Sequence, residues 1–260
     1  MIPNHDLAEE IRAYWSDRAG TFDRSFAHAI APGTEFDGWC AALARHLPPA
    51  PADILELGCG TGEITRVLAA LGHGVRALDF CEPMLARARA KHAGNAMVSL
   101  GLADAQRTME PAASRDAVIC RHLVWTLTKP DAAFADWLRV LRPGGRLVIL
   151  DGNWAVARPA AHWIRPVIRL LARLAPDDPV DGGMLARHDA IMRRLPYGGG
   201  LTAARLKADL EAAGFTDVQI HDYNALNRAM SHRAALRHRL RLHLWDRFIV
   251  TASRAGSVRA

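Results

Sequence analysis

The chain has 260 residues, half of them hydrophobic, and carries a formal net charge of +6. That length allows one large α/β domain, or one with an inserted cap, and a sizeable core. It holds no apolar run long enough to span a membrane, no basic-then-apolar secretory leader in Met1-Ile2-Pro3-Asn4-His5-Asp6, and four scattered cysteines without a C-x-x-C pair, which together predict a reduced, cytoplasmic protein.

Residues 1–47 read as helical, with Tyr14, Trp15, Phe22, Phe26, Phe36 and Trp39 spread through them. Pro48-Pro49-Ala50-Pro51 breaks that pattern. Strands and helices then alternate: strands are predicted at 53–57, 75–79, 96–100, 117–120 and 146–151, and helices at 64–71, 83–92 and 131–141. Arg142-Pro143-Gly144-Gly145 is expected to turn into the fifth strand. Such alternation predicts a mostly parallel sheet with helices on both faces. Residues 152–200 break the rhythm. Trp163, Ile164, Val167, Ile168, Leu171 and Leu174 form an apolar helix there, Pro176-Asp177-Asp178-Pro179 and Asp181-Gly182-Gly183 read as loops, and Tyr197-Gly198-Gly199-Gly200 reads as a hinge. A helical cap over the active site is the expectation for this insert. A helix at 202–213, stopped by Gly214, and strands at 218–221 and 247–252 complete seven strands.

Between the last two strands, Arg233, Arg237, Arg239 and Arg241 cluster with His232, His238 and His243, while Leu236, Leu240 and Leu244 recur at helical spacing. An amphipathic helix with a solvated basic face accounts for them. The pI of about 9.6 raises the question of nucleic acid, but no aromatics interleave with the arginines.

The densest signal is Asp53-Ile54-Leu55-Glu56-Leu57-Gly58-Cys59-Gly60-Thr61-Gly62. A buried strand ends in a carboxylate, and a turn tight enough to touch a ligand comes next, because glycine tolerates positive φ and close backbone approach. A dinucleotide fingerprint, G-x-G-x-x-G, would need glycine at position 63, where Glu63 stands. That carboxylate would also oppose a pyrophosphate at a helix N-terminus. The E-x-G-x-G-x-G spacing of Glu56, Gly58, Gly60 and Gly62 resembles the nucleotide loop of class I, Rossmann-like S-adenosylmethionine-dependent methyltransferases. A sulfonium cofactor without phosphate suits the acidic surroundings.

The resemblance runs from about residue 14 to residue 252, and its motifs fall in order on the predicted strand ends. It implies S-adenosylmethionine as cofactor. It implies that Asp79, in Ala77-Leu78-Asp79-Phe80, accepts from both ribose hydroxyls, which suits an acceptor-only carboxylate. Met84 would lie on the adenine face and Asp104, followed by Ala105, would meet the adenine amino group. Where the family often has Ser, this chain has Cys81, a poorer helix cap, with Glu82 as a substitute. Tyr14 and Arg18 would cover the methionine end, Arg18 pairing with its carboxylate, and Arg121 would close the cofactor site beside the fourth strand. His122 is the candidate general base. Asp151, Asn153, Trp154 and Tyr197 are expected to line the acceptor pocket, with His162 and His188 as further candidates from the cap. Arg121-His122, and Asp151 split from Asn153 by Gly152, argue against a metal site of the catechol type.

This reading divides the chain into a helical cofactor-covering segment, 1–47, a cofactor-binding core, 48–151, a cap, 152–200, and the rest of the sheet, 201–260. It predicts metal-free N- or O-methylation of a small specialised metabolite, with no membrane partner. An RNA methyltransferase is the alternative, though Arg121-His122-Leu123-Val124-Trp125 stands where a base-modifying enzyme often has N/D-P-P-Y/F. A cofactor-binding scaffold without turnover is another. Neither the acceptor nor the oligomeric state is legible in the chain.

Overall fold

The computed structural model describes residues 4–174, 182–232 and 234–256. The predicted loops at 176–179 and at Asp181, and Arg233 of the basic cluster, lie outside them.

Seven strands form one sheet: β1 (Asp53–Leu57), β2 (Gly74–Asp79), β3 (Val98–Leu102), β4 (Arg115–Arg121), β5 (Leu141–Ala157), β6 (Thr216–Asp222) and β7 (Trp245–Ser253). Their order is β3-β2-β1-β4-β5-β7-β6. The first five are parallel, and β7 runs antiparallel to both its neighbours. The chain order reverses between β1 and β4, and ligands of open α/β sheets bind outside the carboxyl ends of strands at such a switch point.

Among the described residues ten α-helices flank the sheet: α1 (Asn4–Arg18), α2 (Thr34–Ala44), α3 (Glu63–Ala70), α4 (Glu82–Lys91), α5 (Pro130–Val140), α6 (Ala161–Leu174), α7 (Gly182–Met192), α8 (Ala203–Ala212), α9 (Asn224–Ser231) and α10 (Leu236–Arg241). Helices cover both faces of the sheet, so its central strands are apolar at nearly every position. Alternate residues feed two separate cores. Leu55, Val118, Cys120, Leu147 and Ile149 join Phe134 and Trp137 on one face. Ile54, Ala117, Ile119, Val148 and Leu150 join Val67, Leu68 and Trp39 on the other.

Several local departures from the sequence expectations matter for the site. Residues 1–47 are not continuously helical: after α1, a 3-10 turn (Phe22–Arg24) and an irregular stretch lead to α2, with Ala27 at φ 67°. The fifth strand does not end at Asp151, because residues 152–157 continue β5 along β7. The Arg142–Gly145 turn lies inside β5 as a register shift against β4. Of the expected basic helix, the described residues form α10 alone, and α9 lies before that cluster. At α4, Cys81 is the N-cap residue and supplies no side-chain bond; Glu82 does not replace it and pairs with Arg89 instead.

Candidate active site

A cavity of about 620 Å³ opens at the carboxyl ends of β1, β2 and β4. Its floor is the loop after β1. Gly58 has φ 62°, and a Cβ there would lie 2.9 Å from Leu123 Cδ1, so only glycine fits both the backbone and the space. Gly60, at φ 54°, donates its N–H to Asp79 Oδ2 at 2.7 Å. The other oxygen of Asp79 accepts from Cys81 N at 2.8 Å. These bonds tie the glycine loop to the end of β2. Burial raises the Asp79 carboxyl to about 6 against those hydrogen bonds. Each carboxylate oxygen keeps a second acceptor direction for a ligand hydroxyl.

Glu56 is fully enclosed one layer below. Its Oε2 accepts from the Thr65 hydroxyl at 2.6 Å, and it is not among the residues lining the cavity. Burial lifts its carboxyl to about 8; the Thr65 bond opposes the rise and the charge of Asp79 adds to it. Glu56 therefore braces the loop from beneath.

Tyr14, Arg18, Phe80, Met84, Asp104, Ala105 and Arg121 all line the cavity with Gly58, Gly60 and Asp79. Arg18 is buried and its Nη2 donates to Ser25 Oγ at 2.8 Å, whereas its Nη1 is buried without a partner. Asp104 sits at an exposed rim, where its Oδ1 accepts from Gln106 N at 2.9 Å. Arg121 donates to the carbonyls of Ala27 and His28 and so pins the irregular 25–28 stretch over the cavity.

His122 also lines the cavity, held at φ 55° at the end of β4. Its ring centroid is 4.8 Å from that of Trp154. Burial, and then the charges of Arg121, Arg247 and His28, hold its pKa well below the usual histidine value. The imidazole is thus neutral around pH 7.

The four residues expected in the acceptor pocket separate. Trp154 lines the cavity. Asp151 does not: it is fully buried, accepting from Val124 N at 3.0 Å, Gly152 N at 2.8 Å and Trp154 Nε1 at 2.9 Å, and burial pushes its carboxyl up to about 7. Asn153 faces away too, its Oδ1 accepting from Val156 N at 3.1 Å. Tyr197 is buried under α8 and donates to Asp209 at 2.8 Å. The neighbouring Gly198 packs so closely that a Cβ would fall 2.1 Å from the Met192 carbonyl. That is a packed turn, not an open hinge. Of the other histidines, His188 on α7 lines the cavity between Tyr14 and Trp125, while His162 is exposed beside Trp163 on α6.

Sequence reasoning missed Arg247, His28 and Trp125 as cavity residues. Arg247 gave no signal of its own. Only the antiparallel pairing Gly152↔Arg247 brings it beside Trp154 in β5. Trp125 was legible by its proximity to His122, in the same strand-end loop.

Residues 55–149 match the family described as Methyltransferase domain. A demethylmenaquinone methyltransferase of Tropheryma whipplei is 30% identical over 185 residues, covering 69% of this chain and 75% of that relative. The chain belongs to the class I S-adenosylmethionine-dependent methyltransferases. A demethylmenaquinone methyltransferase of Clavibacter sepedonicus is 38% identical over 143 residues, 55% of this chain, and the match spans only 58% of that relative's length. Among solved structures, phosphoethanolamine N-methyltransferase 2 of Haemonchus contortus, in complex with S-adenosyl-L-methionine, gives a TM-score of 0.64 over 93% of this chain and 57% of that one. At 14% identity that likeness concerns the fold.

The family cofactor is S-adenosylmethionine, and the cavity fits it. The orphaned Nη1 of Arg18 is a buried cationic donor awaiting an anion, as the methionine carboxylate would supply. Tyr14 and Trp15 stand at the same end of α1, their ring centroids 5.0 Å apart, and such faces attract a sulfonium. Among the described residues no group of three or more His, Cys, Asp or Glu could hold a metal ion, and no described helix is long and apolar enough to cross a membrane.

Proposed function

We propose that the protein transfers a methyl group from S-adenosylmethionine to a small, flat, largely apolar acceptor bearing a hydroxyl group. The observation that carries this reading is the aromatic wall of the cavity. Trp15 and Trp125 meet edge to face with centroids 6.2 Å apart, His188 lies 5.5 Å from Trp125, and Trp154 lies against His122. Such a wall offers stacking faces to a ring. A cavity of 620 Å³ also falls in the range of small-molecule sites, about 300–1,000 Å³.

The cofactor, when bound, supplies an electrophilic methyl group on a sulfonium. The chain's own residues then align and shield. Arg18 takes the methionine carboxylate, Asp79 the ribose hydroxyls and Asp104 the adenine edge. Helix α1, the 25–28 stretch and α7, through Leu185 and His188, roof the cavity and exclude water. His122, kept neutral chiefly by burial and then by its cationic neighbours, accepts the proton of the acceptor hydroxyl as the methyl group moves. The positive charges of Arg121 and Arg247 beside His122 stabilise negative charge developing on the acceptor. The reacting atom in this scheme is the hydroxyl oxygen or the ring carbon beside it. The relatives from Tropheryma whipplei and Clavibacter sepedonicus are named for demethylmenaquinone, so hydroxylated rings are the class to try first. The four free cysteines, three of them buried, support a reducing compartment such as the cytoplasm.

The test is a methyl-transfer screen with isotopically labelled S-adenosylmethionine against hydroxylated aromatic rings, amines and bulk RNA, read by mass gain of one methyl. Transfer to a hydroxylated ring is expected. Transfer to RNA and to no small acceptor would overturn the reading, and cofactor binding with no turnover on any of them would leave a scaffold.

A further inference from the structure

The acceptor end of the cavity holds two arginines that no carboxylate neutralises. Arg121 spends its guanidinium on the carbonyls of Ala27 and His28 and lies over Trp39, 4.7 Å from the ring centroid. Arg247 lies over Trp154, 5.6 Å from its centroid. Neither forms an ion pair among the described residues, and each adds to the electrostatic cost of the other. The acids whose fields reach Arg121 are Glu35 and Glu56. Burial lifts the Glu56 carboxyl to about 8, which reduces what it contributes, and Glu35 forms no ion pair with Arg121 among the described residues.

Arg247 is the less satisfied of the two. Its Nη1 makes one long bond, 3.4 Å, to Asn227 Oδ1, and its Nε is buried without any partner. Nε and Nη2 form one edge of a guanidinium, the edge that binds the two oxygens of a carboxylate side by side. That edge has no partner among the described residues. A buried, unpaired guanidinium is costly to the fold unless a ligand completes it. The methionine carboxylate of the cofactor already has its own cation in Arg18, whose free Nη1 lies beside Ser25 at the α1 side of the cavity.

We propose that Arg247, with Arg121 beside it, is an anion subsite that selects acceptors carrying a carboxylate on the ring. This rests on the small-acceptor reading and narrows its substrate class. Arg247 fixes the ring by a two-point contact, and Trp154, on which its guanidinium lies, supplies the stacking face. Arg121 adds charge to the same end while holding the 25–28 stretch closed over it.

The experiment is calorimetry on the full chain saturated with S-adenosylhomocysteine, with benzoate and its neutral isostere benzamide as probes. Benzoate is expected to bind about 10- to 100-fold more tightly than benzamide, the range of charge-assisted hydrogen bonds. Arg247→Gln should erase that preference. Arg247→Lys should restore only part of it, because an ammonium keeps the charge and loses the fork. Cofactor-product affinity should stay as in the wild type in both variants. Equal binding of benzoate and benzamide by the wild type, or no benzoate binding, overturns the subsite, and this comparison stands even if a variant does not fold. A weakened S-adenosylhomocysteine affinity in Arg247→Gln would also overturn it, assigning the arginine to the cofactor. Tighter, Arg247-dependent binding of the phenolate of 4-nitrophenol than of benzoate would overturn the carboxylate in favour of a single-oxygen anion. Failure of S-adenosylhomocysteine to bind at all would instead sink the methyl-transfer reading, and the two failures are distinguishable.

Discussion

Asp79 and Arg247 line the same cavity, and the chain holds them in different ways. Asp79 accepts two backbone N–H groups at 2.7 and 2.8 Å, from the loop after β1 and from the residue that begins α4. Its position is built by segments close to it in sequence or paired with it in the sheet. Arg247 has one long bond to Asn227 and a buried Nε with nothing to donate to. Asp79 is therefore held in place before any ligand arrives, whereas Arg247, like Arg18, keeps a buried donor in reserve. That contrast suits a site whose first ligand is shared across a family and whose second is particular to the chain.

The largest expected effect breaks the cofactor half. On the proposed reading, Asp79→Ala removes the acceptor for two ribose hydroxyls, at about 1.5–3 kcal/mol for each charge-assisted bond. It also frees the N–H groups of Gly60 and Cys81. S-adenosylhomocysteine affinity measured by calorimetry should fall by roughly 10²–10⁴-fold. An unchanged affinity would remove Asp79 from the site.

Next comes His122, on the border between the halves. His122→Ala should lower the rate constant by about 10²–10⁴-fold and leave cofactor affinity as it was. His122→Asn should not rescue a base, whereas it would rescue a residue that only positions the ring. Because burial and the neighbouring cations hold this histidine well below its ordinary value, the acid limb of kcat/KM should lie below about pH 6.5. A limb at or above that value would point to another base.

Asp151 tests whether the acceptor half can be loosened without touching the ligand. Asp151→Ala leaves the N–H of Val124 and the indole N–H of Trp154 unpaired, at about 1–3 kcal/mol each. The melting temperature should fall, and KM for the acceptor should rise as the Trp154 ring loses its anchor, while cofactor affinity holds. A rise in the cofactor Kd equal to that in KM would mean that the two halves are one mechanical unit.

The smallest effect is a slope. Glu56, Asp79 and Asp151 all have carboxyls raised by burial, to about 8, 6 and 7. A carboxyl raised in the folded state binds protons that the unfolded chain has already released. Depressed histidines, His122 among them, contribute the opposite slope below about pH 6.5, so the cofactor-free protein should lose stability above that, as pH rises to about 8. Glu56→Gln should flatten that fall in denaturant melts. A melt whose stability rises over the same range would contradict the burial argument.

Much of the cofactor half was legible in the chain. The strand at 53–57 is where the apolar run put it, the glycines after it have the positive φ their spacing required, and Asp79 ends β2. Asp104, Met84 and His122 lie on the cavity for the same reason: each stands at or just beyond a strand end, and strand ends are readable from where an apolar run stops. The acceptor half was read less well. Ending the fifth strand at Asp151 hid its continuation through residues 152–157 along β7, with a register shift after Asn153. Asp151 and Asn153 commit their side chains to backbone N–H groups of Val124, Gly152 and Val156, and the Trp154 indole, anchored on Asp151, lies on the cavity. Tyr197 looked like a lid residue because glycines come after it, but its hydroxyl is committed to Asp209.

The sequence by itself determined the alternating α/β architecture, the glycine loop and its carboxylates, because these depend on local periodicity and on residues a few positions apart. Only the tertiary structure decided that β7 lies antiparallel beside β5, that Arg247 thereby meets Trp154, and that the 25–28 stretch is held over the cavity by Arg121. Those contacts join segments about a hundred residues apart, and no local pattern records them. They form because the apolar faces of distant strands and helices have one compact way to be buried together, and the charged residues go where that packing carries them.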